Sequence, residues 1–215
     1  MKFLRSILHS PRTLHRMGVM LLWNCAVYYG GRLLSGGTFH RDFTTELDGR
    51  IPFLPWTVSV YFLAFLFWSA NYVLALTRED RAAEHFFRAD VLSRTVALSV
   101  FLLCPTTMTR PELSGSGFWD GLMRLLYAVD EPDVLFPSFH CLNSALSCFG
   151  IWRDERVSAG YKVFSVFAAL AICLSTLTTR QHVLWDVFAG VGLGAVCYAL
   201  SSVGLDRHSL IRSGR

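Results

Sequence analysis

The residues best suited to chemistry stand at the opening of the last apolar stretch, in the run Thr179-Arg180-Gln181-His182-Val183-Leu184-Trp185-Asp186. His182 and Asp186 are four apart, a spacing that puts both on one face of a helix. There the carboxylate accepts an imidazole N–H, fixes the tautomer and leaves the other ring nitrogen free to attack an electrophile. The same pair also suits a plainer task, a polar link between two packed helices. A second run, Phe136-Pro137-Ser138-Phe139-His140, predicts a helix start capped by Ser138, whose hydroxyl and free N–H groups suit phosphate oxygens. His140 lies one turn in; taken alone it reads more readily as an interfacial histidine with no task. Arg110, before Pro111, and Arg180 add guanidinium forks that match phosphate oxygens, whether of a substrate or of lipid headgroups.

These groups need elements that bring them to one place. The chain of 215 residues is 53% hydrophobic and 17% charged, against about a quarter charged for a soluble domain. Six apolar stretches, near 17–35, 53–77, 91–109, 138–152, 161–179 and 183–203, predict an all-α polytopic membrane protein, a bundle of six transmembrane helices. No repeat or linker divides it, so residues 1–215 read as a single domain. The basic start, Met1 to Arg16, superficially resembles a secretory signal, but the apolar run after it is too long and reads as an uncleaved first span.

Lys and Arg are denser in the segments that are cytoplasmic if the N-terminus is cytoplasmic, among them Arg12, Arg16, Arg78, Arg81, Arg88, Arg94, Arg153 and Arg156. That bias puts both termini inside. Spans four and six then start at the outer face, where unpaired N–H groups welcome anions.

The net charge of +4 is spread between apolar runs and gives nucleic-acid binding no support. The six cysteines form no CxxC pair and read as buried free thiols, and no acidic cluster suits a divalent ion. His9, His15, His40, His85 and His208 read as surface residues, and the tryptophans, including Trp23, Trp56, Trp119 and Trp185, as interface anchors. Gly190, Gly192 and Gly194 predict close helix packing. Residues 118–127 read as a short amphipathic segment on the outer surface, placed to guide lipid to the site.

Arg110-Pro111, Pro137-Ser138-Phe139-His140, and Ser175 with His182 and Asp186 together resemble the type 2 phosphatidic acid phosphatase superfamily, whose ordered motifs are Lys with Arg-Pro, Pro-Ser-Gly-His, and Ser-Arg followed by His and Asp. Leu47-Asp48-Gly49-Arg50-Ile51-Pro52-Phe53 and Asp130-Glu131-Pro132 resemble its branch near the inositol phosphorylceramide and sphingomyelin synthases. The resemblance covers spans three to six by motif and the whole chain by helix count. Three positions depart from it: Leu103 stands for the motif Lys, Phe139 for the Gly and Thr176 for the Arg.

The resemblance implies an integral membrane lipid phosphatase that needs no metal and no organic cofactor. In it His182 forms a phosphohistidine, His140 acts as acid and then base, Asp186 orients His182, and Arg110, Arg180 and Ser138 hold the phosphoryl oxygens. The implied substrate is a lipid phosphomonoester or pyrophosphate, with membrane lipids as partners. The alternative is transfer of a phospho-headgroup to a lipid alcohol, and a non-catalytic scaffold is the third reading. A bacterial plasma membrane is the expected location, with the site at its extracytoplasmic face.

Overall fold

A computed structural model describes the chain over residues 10–212, with side chains described through Ser202. Within those bounds the protein is all-helical apart from one two-residue strand pair. The first nine residues of the basic start, His9 among them, lie outside the described residues, as does the side chain of His208.

Helix α1, Pro11–Ser35, starts where Ser10 caps the Thr13 N–H and Pro11 occupies the first turn. Strand β1, Arg41–Asp42, leads to the short helix α2, Glu46–Arg50, whose Thr45 and Asp48 cap one another reciprocally. A single 3-10 turn, Pro55–Thr57, opens α3, Val58–Leu76. Then come α4, Asp80–Leu103; β2, Thr106–Thr107; and α5, Phe118–Val129. Helix α6, Phe139–Trp152, starts at the Ser138 cap, α7 is Ala159–Thr178 capped by Ser158, and α8 is Leu184–Arg212.

Three segments are long and apolar enough to cross a membrane: Pro55–Leu76, Ala159–Thr178 and Leu184–Ser202. Their outward faces carry large apolar side chains such as Phe65, Leu66, Phe167, Leu174, Phe188 and Leu200, a surface suited to lipid and costly in water. The other helices miss that standard for visible reasons. Arg12, Arg16, Asn24 and Arg32 interrupt α1, and α6 has 14 residues, about 21 Å at 1.5 Å per residue against a core of roughly 30 Å.

The third expected stretch, 91–109, is displaced: the helix begins at Asp80 and ends at Leu103. Its buried positions, Ala83, Phe86, Ala89, Asp90, Ser93, Arg94, Ala97 and Phe101, recur at helical spacing, so amphipathic periodicity overrides mean apolarity there. Arg94 is accordingly no loop cation. It is buried, ion-paired to Asp90 at 2.7 Å and bonded to Asn24 and Asn143. Arg16 is likewise drawn inward, to Asp80 and Glu84 at 2.9 Å.

The helices close on a core of Met20, Ala75, Leu76, Phe86, Ala89, Leu142 and Leu146 at one end. Nearer the other end Val27, Ala97, Phe101 and Val134 pack together. Helices α6 and α8 touch through glycine: a Cβ on Gly190 would strike the Ser138 carbonyl, and one on Gly194 would stand 3.2 Å from Leu142. Gly192 faces open space, so the packing role expected of all three belongs to two.

His85 is half-buried rather than on the surface, with Nε2 2.7 Å from the Tyr198 carbonyl. Cys141 and Cys197 are buried free thiols, whereas Cys25 is exposed.

Candidate functional site

The His182 segment is a turn, not a helix. Helix α7 ends at Thr178, and Arg180 takes a left-handed conformation, φ 54°, that doubles the chain back. The N–H groups of Gln181 and His182 then both donate to the Thr176 carbonyl, at 2.9 and 3.1 Å. Only after this does α8 begin, so His182 precedes the helix that carries Asp186. The Asp186 carboxylate accepts the Val183 N–H at 3.0 Å and lies 3.1 Å from His182 Nδ1. The pair expected on one helical face is thus assembled by a turn closing over a helix start. Burial lowers the His182 pKa, but the hydrogen bond and charge of Asp186 outweigh it and the net shift is upward from 6.5.

A buttress holds this turn from outside. Asp48, 1% exposed, accepts the Leu184 N–H at 2.8 Å through one oxygen and the Thr45 N–H and hydroxyl through the other. Arg180 donates to the carbonyls of Asp48 and Ile51, both at 2.6 Å. The guanidinium expected on phosphate oxygens is therefore spent on two backbone carbonyls, a placement that fixes the turn instead. The Leu47-to-Phe53 segment, noted in the sequence only for its resemblance, is what receives it.

Inside the buttress lies a cavity of about 430 Å³. His140 and His182 both line it, their ring centroids 6.4 Å apart. His140 stacks on Tyr61 at 3.9 Å and meets the edge of Trp68 at 4.8 Å, and the Trp68 indole donates to Ser144 at 3.0 Å. Tyr28, Phe62, Phe65 and Phe139 extend an aromatic wall. Asp130 also faces the cavity, held by the hydroxyls of Tyr28 and Tyr61, while Asp133 pairs with Arg32. Two connecting loops are joined beside it: β1 pairs in parallel with β2, Arg41 opposite Thr106, and Thr107 bridges to Asp133, which lines the cavity.

Two more of the expected residues stand back from the cavity. Ser138 is fully buried, and its hydroxyl accepts the Cys141 N–H at 3.4 Å, so it caps α6 as predicted. Arg110 lies over the Tyr127 ring at 4.5 Å, and its two terminal nitrogens donate to the Asp130 carbonyl at 2.6 Å and to Gln181 Oε1 at 2.7 Å. Its Nε, His140 Nε2 and Gln181 Nε2 are buried with no hydrogen-bond partner. Buried nitrogens of this kind ask for a ligand. Helix α5, Phe118–Val129, covers the amphipathic segment expected at 118–127. Met123 and Leu126 are buried, Phe118, Trp119 and Leu125 face outward, and Leu126 and Val129 reach the cavity.

No known family's model matches this chain, and neither does any curated protein or solved structure. What the arrangement offers must be read from its own groups. Those groups are an imidazole oriented by a carboxylate, a second imidazole across a small space, and unpartnered nitrogens beside them. That set suits covalent transfer of an electrophilic group between an imidazole and an alcohol or water. Among the described residues, no three His, Cys, Asp or Glu side chains are grouped to hold a metal ion.

Sequence reasoning missed Tyr61, Trp68, Asp130 and Gln181 as parts of the site. A signal existed for the first two. Val58, Tyr61, Ala64, Trp68, Asn71 and Ala75 repeat at three and four residues and are the buried face of α3. Trp68 is consequently a cavity wall and not an interface anchor, whereas Trp56, Trp119 and Trp185 are exposed as anchors would be.

Proposed function

We propose that this protein is a membrane enzyme of six spans that transfers the phosphoryl group of a lipid phosphate through a phosphohistidine, as its resemblance to the type 2 phosphatidic acid phosphatases implies. The observation that carries the reading is the facing of His140 and His182 across one cavity, with Asp186 on the far nitrogen of His182. Both termini are cytoplasmic and the cavity opens toward the extracytoplasmic side, of a bacterial plasma membrane.

Asp186 accepts the Nδ1–H of His182 and leaves the Nε2 lone pair free. Nε2 forms a bond to phosphorus as the bond to the lipid oxygen breaks, and protonated His140 gives its proton to the leaving alkoxide. Neutral His140 then takes a proton from water, the hydroxide attacks phosphorus, and the N–P bond breaks to release phosphate. Arg110 contributes positive charge from behind Gln181.

A second reading has its own support. The cavity wall is largely aromatic and aliphatic, which favours a lipid alcohol over water as the acceptor, making the protein a phospho-headgroup transferase.

Phosphate release from a panel of lipid phosphates in the presence of EDTA tests the proposal, with His182→Ala and His140→Ala beside the wild type. Release that persists with the chelator and disappears in both variants is the expected result. Transfer to an added lipid alcohol without release would favour the transferase. Neither product with any lipid would leave a scaffold.

A further inference from the structure

Gln181 is 1% exposed and adjoins His182 in sequence and at the cavity wall. Its amide can be oriented without ambiguity. Arg110 is a donor only, so the atom 2.7 Å from its guanidinium is the carbonyl oxygen, and the NH2 must face away from the arginine. That NH2 is buried and has no partner. A buried amide donor left without a partner costs stability, so its persistence beside two facing imidazoles calls for an acceptor. The hydrogen bond from a cation to Oε1 also polarises the amide and strengthens its N–H groups as donors.

We infer that Gln181 is the base of an oxyanion subsite: its Nε2 donates to a non-bridging oxygen of the phosphoryl group on His182, with Arg110 delivering its charge through the amide rather than by direct contact. The inference rests on the proposed phosphoryl chemistry. It answers a difficulty in that chemistry, because Arg180 is committed to carbonyls, and Arg110, with both terminal nitrogens engaged, stands behind Gln181 and does not line the cavity. The ligand class is a tetrahedral oxyanion.

The test is titration of the full-length protein in detergent with orthovanadate, followed by thermal stabilisation, for wild type, Gln181→Leu and Gln181→Glu. Gln181→Glu keeps an acceptor for Arg110 and removes the donor. It should melt at or above the wild type yet bind vanadate about 10-fold to 100-fold more weakly. Gln181→Leu should lose binding similarly. Equal vanadate affinity in wild type and variants would overturn the subsite, as would no binding by the wild type, or a large fall in melting temperature for both variants. Where the wild type releases phosphate from a lipid, both variants should lower kcat by about 100-fold with little change in KM; unchanged kcat counts against the subsite. If no lipid is turned over, the vanadate comparison still decides on Gln181, so the two readings fail separately.

Discussion

At the residue scale the decisive group is the Asp186 carboxylate, whose contacts to His182 Nδ1 and the Val183 N–H tie imidazole and helix start together. Replacing Asp186 with Asn leaves the shape but removes the charge and permits the wrong tautomer. On the proposed mechanism, turnover of a lipid phosphate should fall by about 100-fold to 10,000-fold, with folded yield preserved; a change under about 3-fold would remove Asp186 from that mechanism. The pH profile carries a second prediction. Because the folded pKa of His182 is raised above 6.5, the free base that the proposed mechanism requires is depleted below that raised value, and the imidazole titration followed by NMR should be centred above pH 6.5. The linked stability has the opposite sign: it is fully present below pH 6.5 and lost as pH climbs through the folded pKa. In Asp186→Asn the inflection should move to lower pH.

Helix contacts set the next scale. A methyl at Gly190 meets the Ser138 carbonyl, whereas one at Gly192 meets nothing within 4 Å. Gly190→Ala should therefore spread α6 from α8 and displace His140 relative to His182, losing both stability and turnover. Gly192→Ala should behave as wild type in melting temperature and rate. Helix α4 offers a sharper case, the buried Arg94 tied to Asp90, Asn24 and Asn143, the last two of which line the cavity. Arg94→Met leaves Asp90 uncompensated and should cost about 3–5 kcal/mol. The double variant Arg94→Met with Asp90→Leu should recover most of that in denaturant titration. If the double loses as much as the single, the pair holds the helices by shape and not by charge.

For the whole molecule, the end opposite the histidines is closed by Asp154, 4% exposed, in the loop between α6 and α7. Arg156 grips this carboxylate at 2.7 Å and also donates to the carbonyls of Thr77 and Leu74. Arg78 lies 4.0 Å away. The Arg156 hydrogen bonds hold the Asp154 pKa below 3.8, overcoming burial, with the Arg156 backbone N–H and the Arg78 charge adding to them. A depressed carboxylate contributes stability that is present above pH 3.8 and lost as pH falls through its folded value. Melting temperature should thus drop in that acid window for the wild type and drop less for Asp154→Asn, which starts lower at pH 7. Identical acid profiles would show that the loop does not govern stability.

The sequence by itself determined most of the helices and the residue types that line or back the cavity between them. Period and apolarity fix where a helix can bury a face, and so the Ser138 cap, the amphipathic 118–127 segment, and His182 with Asp186 at the last helix start were all legible. What it could not determine was which partner each polar group would find. Arg110 and Arg180 look alike in the sequence, yet one backs Gln181 and the other holds the carbonyls of Asp48 and Ile51, from a segment more than a hundred residues away. Arg94 looked like a loop cation until α4 proved to begin at Asp80 and turned it inward to Asp90. A side chain's type fixes how many hydrogen bonds it must make, but only the packing of distant elements decides with whom. In an interior where each unmade bond costs about 1–3 kcal/mol, that choice separates the residues that hold the cavity together from those left open to a ligand.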